Sequence, residues 1–363
     1  MKVCFFHLKA YAIFDSNSDA PIGGTLVQMH IIAKKLTTFP GVTVSFITGD
    51  FGQSDALVYD GIKVYKSAQL ERKLCNYFLA PFKIWFALRR INADVYITSS
   101  AGTEIGIVAF FCKVYKKKMI YRTAHEWDCS REYRKQHAFS GRCFEYGLKK
   151  STYIVTQSAE HQQLLRKNFG IEAVIIRNSF NVYHLDNSSQ KRGVLWVARC
   201  DRWKNPQVFI ELAKVFPEES FTMICPKQRH QEDFFNTIRC AAQMQSNIHF
   251  IDFIPFERIQ KFFNQSKVFV GTSEYEGFPN TYLQACMGGT PIVSYKVNPD
   301  DFITSYDLGF YANGKKEKMK KDLEILLTND KISKKQSNNA LQYVRQNHDI
   351  EKNILTWINL IKN

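Results

Sequence analysis

Glu276 is followed by a tight turn, Gly277-Phe278-Pro279-Asn280, and then by a helical pattern, Thr281–Met287, that Gly288 and Gly289 stop. A carboxylate beside a helix opening joins two kinds of recognition. The N–H groups of the first turn and the positive end of the helix dipole hold phosphate. The carboxylate accepts hydrogen bonds from hydroxyls. Upstream, Arg199 closes an apolar run and Lys204 follows five positions later at a helix start, within WVARCDRWKNP. Arg offers a fork of donors and Lys a mobile point charge, a pair suited to a departing diphosphate. Arg202 lies between them and competes for that role. His125 follows Tyr121-Arg122-Thr123-Ala124, where a strand would end, with Glu126 and Asp128 as acidic neighbours. Ile22-Gly23-Gly24-Thr25 sets two glycines before a helix, where backbone can approach a ligand. The glycine spacing is not the G-x-G-x-x-G of dinucleotide sites. No Asp-x-Asp falls at a strand end, and nine scattered cysteines contain no C-x-x-C pair, so the sequence requires no metal. An odd set of unpatterned cysteines reads as reduced thiols in a cytosol.

Strands and helices that would position these residues alternate along the chain. Lys2–Phe6, Val42–Thr48, Ile62–Tyr65, Val95–Thr98, Met119–Tyr121 and Tyr153–Thr156 read as strands, with Thr25–Leu36 and Leu74–Ile91 as helices. The polar stretch Asn187–Lys191 reads as a linker, after which the pattern restarts. Val194–Val197, Phe221–Cys225, His249–Phe250 and Val268–Val270 read as strands. Pro206–Val215, Glu257–Phe263 and a long final stretch near Lys334–Ile361 read as helices. The alternation predicts an α/β chain of two doubly wound parallel sheets, and 363 residues suffice for two cores. Pro81 would break or kink the helix Leu74–Ile91. No uncharged apolar run reaches the ~18–20 residues of a membrane span, and MKVCFFHLKAYAIF reads as a first core strand.

The formal charge is +15 and it is uneven: residues 1–180 hold 25 Lys and Arg against 14 Asp and Glu, the remainder 24 against 20. Such a basic half calls for a phosphorylated substrate, an anionic membrane or a nucleic acid. Nucleic acid is disfavoured because no recognition module accompanies the charge. The stretch LCNYFLAPFKIWFALRR, residues 74–90, interleaves aromatics with Lys83, Arg89 and Arg90 and is a candidate membrane surface, with a buried core helix as the other reading.

The segment Thr272–Ser294 resembles the donor-site signature of retaining glycosyltransferases of family 4, which have the GT-B fold. The resemblance implies two Rossmann-like domains facing a cleft: an acceptor-side domain over 1–185, a nucleotide-sugar donor domain over 186–335, and a C-terminal helix, 336–363, crossing back onto the first. It implies transfer of a hexosyl unit from a nucleoside diphosphate sugar, with UDP favoured, to a sugar or polyprenyl-diphosphate-linked acceptor in bacterial surface polysaccharide synthesis. The enzyme would be cytoplasmic, peripheral on the inner membrane face, and need no metal or other cofactor. The resemblance makes Glu276 the residue that holds sugar hydroxyls and places His125 toward the transferred sugar. Arg199 and Lys204 become the phosphate clamp, with N–H groups of Phe278, Asn280 and Thr281 assisting. The Gly23-Gly24 loop borders donor phosphates and acceptor. Where the family has a second acid, eight positions after the first, this chain has Gln284, facing the ribose. Cys225 and Asp252 stand where glycine is usual, near the base. These departures keep open a nucleotide-sugar-binding protein without transferase activity, and a sugar 2-epimerase shares the scaffold.

Overall fold

Strand Lys2–Phe6 (β1) alternates its side chains between two cores, and this alternation organises the first domain. Val3 and Phe5 enter one cluster, Cys4 and Phe6 the other. A strand buried on both faces has to be apolar throughout, which is why it is readable as an uninterrupted run. The computed structural model describes residues 1–15, 22–69, 74–183, 191–228 and 231–363. Apart from Lys191, the expected linker lies outside them. The chain divides into two units, Met1–Phe180 with Ile350–Asn363, and Asn181–Asp349.

The first unit carries β1, Thr43–Asp50 (β2), Leu57–Tyr59 (β3), Ile62–Gln69 (β4), Val95–Ser99 (β5), Lys118–Arg122 (β6), Tyr153–Thr156 (β7) and Val174–Ile175 (β8). They form one sheet in the order β3-β4-β2-β1-β5-β6-β7-β8. All pairs are parallel except β3–β4, an edge hairpin whose turn places Asp60 at φ +48° and Gly61 at φ +79°. Helix Gly24–Leu36 covers one face together with the final helix, Ile350–Lys362, whose Ile350, Ile354, Trp357, Ile358 and Ile361 lie in the same core. The opposite face is covered by helices Leu74–Ile91, Thr103–Val114 and Ala138–Lys150. The last two approach closely through glycine: a Cβ on Gly147 would come within 2.7 Å of the Ile105 side chain, and one on Gly106 within 2.7 Å of the Cys143 carbonyl.

Helix Leu74–Ile91 runs on through Pro81 without interruption. The chain end departs from the expected long helix. Helices Asp330–Asn347 and Ile350–Lys362 are separate, broken where His348 leaves helical geometry and buries its ring against Tyr343 and Phe278. The Ile350 N–H then bonds the Phe180 carbonyl at 2.9 Å, so the final helix begins on the first unit.

The second unit carries Val194–Val197 (β9), Phe221–Ile224 (β10), Ile248–Ile251 (β11), Val268–Gly271 (β12), Ile292–Ser294 (β13) and Gly309–Tyr311 (β14). These form a wholly parallel sheet in the order β11-β10-β9-β12-β13-β14. The sheet order reverses direction between β9 and β12, so the loops after these two strands flank the switch point where open α/β sheets bind ligands. Arg199 follows β9 and Glu276 follows β12. Among the described residues, no helix is long and apolar enough to cross a membrane.

Candidate active site

Two loops of the second unit are stitched together before any ligand arrives. The Glu274 N–H donates to the Trp203 carbonyl at 2.9 Å, and the Thr272 hydroxyl donates to the Lys204 carbonyl at 2.5 Å. The same hydroxyl accepts from the indole N–H of the buried Trp196 at 2.8 Å. Trp203 and Tyr275 stack with ring centroids 5.0 Å apart. Asn205 and Lys296 both bond the Glu274 carboxylate. The loop after β9 turns at Asn205, which takes the left-handed conformation at φ +48° and starts helix Pro206–Val215 with proline in its first turn.

This frame brings Arg199, Lys204 and Glu276 together. The Lys204 ammonium pairs with Glu276 Oε1, and the two side chains are only 12 % and 16 % exposed. The Ser273 hydroxyl donates to the same carboxylate oxygen at 2.8 Å. Burial, more than any neighbour, pulls the Lys204 pKa down; Glu276 opposes that pull, and Arg199 nearby adds to it. Lys204 also lies 3.9 Å from the centroid of the Trp203 ring. Arg199 pairs with the buried Asp201 at 3.4 Å, and Gln231 donates to the other Asp201 oxygen at 3.0 Å. Each site cation therefore has an acid beside it. Arg202 is exposed and lies over the Phe234 ring at 4.7 Å, turned to a different neighbour from the other two cations.

Helix Asn280–Met287 begins directly after Pro279, which has no N–H. Phe278 buries its side chain against Phe302 and His348, so it can offer a ligand only its backbone. Asn280 and Thr281 sit half-buried in the first turn. Gln284 lies one turn further along and is 4 % exposed. At the far end Gly289 takes φ +57°, and the Lys191 ammonium caps the helix through the carbonyls of Gly288 and Gly289 and the Thr290 hydroxyl. Cys225 is fully buried in the core of the unit, and its N–H bonds Ile251, so its side chain is a packing group. Asp252 is exposed and pairs with Arg239 at 3.7 Å.

The first unit holds the other expected residues. Gly23 caps helix Gly24–Leu36 at φ −74°, an ordinary extended conformation, and a Cβ there would meet nothing within 4 Å. Neither backbone geometry nor packing among the described residues demands glycine at this position. His125 caps the short helix Glu126–Cys129, its Nδ1 accepting the Trp127 N–H at 3.2 Å. In the neutral ring the proton is then on Nε2, the atom able to donate to a ligand. Asp128 is buried and receives the N–H groups of Ala124, at 2.6 Å, and His125. It fixes the turn that aims His125. Ser273, Asp201 and the Trp203–Tyr275 stack were not expected from the sequence. Ser273 stands three positions before Glu276 and Asp201 between the two cations, and these spacings were the available signal.

Residues 184–343 match the model of glycosyl transferases group 1. An uncharacterized glycosyltransferase of Methanocaldococcus jannaschii is 20 % identical over 82 % of this chain and 83 % of its own length. Among solved structures, sucrose-phosphate synthase from Thermosynechococcus elongatus superposes with a TM-score of 0.81 at 12 % identity, covering 99 % of this chain and 98 % of that one. HepE from Anabaena, in complex with UDP and glucose, gives 0.75 at 13 % identity, covering 100 % and 99 %. The chain has the GT-B fold of two Rossmann-like α/β domains, and residues 184–343 are a glycosyl transferases group 1 domain.

Proposed function

We propose that this chain is a retaining, family 4 type glycosyltransferase that moves a hexosyl unit from a nucleoside diphosphate sugar to a sugar or polyprenyl-diphosphate-linked acceptor, as in bacterial surface polysaccharide synthesis. The observation that carries the reading is the buried Lys204–Glu276 pair, held with Arg199 beside the opening of helix Asn280–Met287. UDP is the favoured carrier because the similar Anabaena protein was solved with UDP and glucose.

The reaction breaks the bond between the anomeric carbon and the diphosphate oxygen and forms one to an acceptor oxygen on the same face. The acceptor proton passes to the leaving phosphate. Negative charge grows on the diphosphate, and Arg199 and Lys204 meet it with fixed positive charge. When the diphosphate takes over Lys204, the Glu276 carboxylate is released to accept hydrogen bonds from sugar hydroxyls. Backbone N–H groups of Phe278, Asn280 and Thr281 add the helix's positive end. Gln284 accepts from ribose hydroxyls without charge. The family resemblance assigns His125 Nε2 to the transferred sugar and the Gly23-Gly24 backbone to the phosphates. No step calls on a metal.

The test is release of UDP from UDP-sugars in the presence of sugar and lipid-linked acceptors. Glu276→Ala and Arg199→Ala should each lose about 10²-fold or more in kcat; near wild-type turnover in both would end the assignment. Gln284 favours one second reading, a donor-binding protein without transfer. That reading predicts a UDP-sugar complex that is never turned over.

A further inference from the structure

Helix Leu74–Ile91 is apolar on two opposite sides. Ile84, Ala87, Leu88 and Ile91 point into the core of the first domain. Phe78, Phe82 and Phe86 recur every fourth residue on the other side and are 73 %, 64 % and 64 % exposed. A surface helix ordinarily turns polar residues to water, and one that is apolar all round is covered on every side. The neighbouring helices continue the patch: Phe110 and Val114 of Thr103–Val114 and Phe139 of Ala138–Lys150 are all exposed by half or more. Between these helices lies an apolar groove of about 1130 Å³, walled by Trp85, Ile107 and Tyr146.

Among the described residues of the three helices, positive charge predominates. The described residues of the three helices carry Lys83, Arg89, Arg90, Lys113, Arg142, Lys149 and Lys150. Their only carboxylates are Glu104 and Glu145. Glu145 is buried and pairs with Arg134 at 2.5 Å, and Glu104 folds back over Gly102. Of the cations, Arg90 is paired with Asp55. A second copy of the chain seated here would bring like charges face to face across a two-fold axis. Phenylalanines ringed by Lys and Arg instead match a bilayer, where rings enter the acyl boundary and cations meet phosphate headgroups.

We infer that the exposed face of helices Leu74–Ile91, Thr103–Val114 and Ala138–Lys150 docks the protein on a lipid bilayer bearing anionic headgroups. This stands apart from the transfer chemistry, since it rests on the surface of the first domain alone. The experiment is flotation of the full chain with vesicles of phosphatidylcholine, with or without phosphatidylglycerol. Sedimentation velocity and a UDP thermal shift are run on the same preparations. Anionic vesicles should retain about tenfold more protein than neutral ones, and added salt should weaken the retention. Phe82→Ser/Phe86→Ser and Lys149→Glu/Lys150→Glu should each abolish most of it while keeping the UDP shift. Indifference to headgroup charge, or full retention by both variants, would overturn the inference. So would a wild-type dimer that the double phenylalanine variant dissolves. Flotation without a UDP shift would leave docking intact and count against the donor site.

Discussion

Replacing Lys204 by Met keeps the length and packing of the side chain and strips the Glu276 carboxylate of its cation. The size of the effect follows from burial. With 12 % and 16 % exposure the pair is close to interior. Removing one partner of a fully buried pair costs about 3–5 kcal/mol, whereas exposed pairs are worth about 0–1. Glu276 keeps the Ser273 hydroxyl at 2.8 Å, so a cost of about 2–3 kcal/mol is expected. For a domain the size of 181–349 that is a fall of about 5–10 °C in Tm. Wild-type protein with UDP at about 100 times its Kd should gain ~2.7 kcal/mol, and the variant should gain little. Lys204→Met/Glu276→Gln separates the causes. With no orphaned charge it should recover most of the stability while the UDP response stays lost. Calorimetry with and without UDP on the three proteins decides. A Lys204→Met protein within about 1 °C of wild type that still responds to UDP would refute the reasoning, and a double variant no more stable than the single would refute the orphaned-charge account.

Gly23→Ala should cost only about 0.5 kcal/mol, since φ is −74° and no atom of the described residues lies within 4 Å of the new Cβ; if the glycine is kept for a ligand, KM for the donor should rise with Tm nearly unchanged. Gln284→Glu should tighten UDP binding about tenfold in titration calorimetry through a charge-assisted bond to ribose, at some loss of unliganded stability because the position is buried. His7, packed at the end of β1, has its pKa lowered to about 4, chiefly by burial and then by Lys9. The folded state thus binds fewer protons than the unfolded one between pH 6.5 and 4, so stability falls through that window by up to about 3 kcal/mol, and denaturant melts of His7→Gln should lack that part of the acid loss. Trp357→Ala should remove about 3–5 kcal/mol from the first domain, because the ring is fully buried in its core, and limited proteolysis of 1–180 should accelerate.

Central strands were legible because burial on both faces leaves them no polar positions. Val194–Val197 and Lys2–Phe6 coincide with their apolar runs, and Leu74–Ile91 and Pro206–Val215 match as helices. What escaped lacks a period. Thr103–Val114 is apolar on nearly every side, and Ala138–Lys150 is interrupted by Gly141 and Gly147, glycines that packing requires and that local propensity counts against a helix. The hairpin Leu57–Gln69 carries a sequence signal of its own, Asp60-Gly61 between apolar residues. In the candidate site, Glu276, Arg199 and Lys204 are named through the resemblance, and the structure sets their side chains side by side. The Trp203–Tyr275 stack joins two loops about 70 positions apart, a contact that single-sequence spacing does not encode, whereas Ser273 and Asp201 act within their own loops on Glu276 and Arg199.

The distribution of charge separates two uses of a basic chain. In the second domain the site cations come already matched: Arg199 with Asp201, Lys204 with Glu276, and Lys296 with Glu274. On the proposed function such pairs would answer an incoming diphosphate by exchanging partners, and they contribute little to the field at a distance. The surplus that makes the chain +15 is concentrated in the first domain, much of it on helices whose outward residues are phenylalanine. A nucleic-acid surface would interleave its cations with polar side chains and stacking platforms in a groove that tracks the backbone. Here the cations border a continuous apolar patch. The net charge is therefore best explained by the face that meets lipid, and the donor pocket needs none of it.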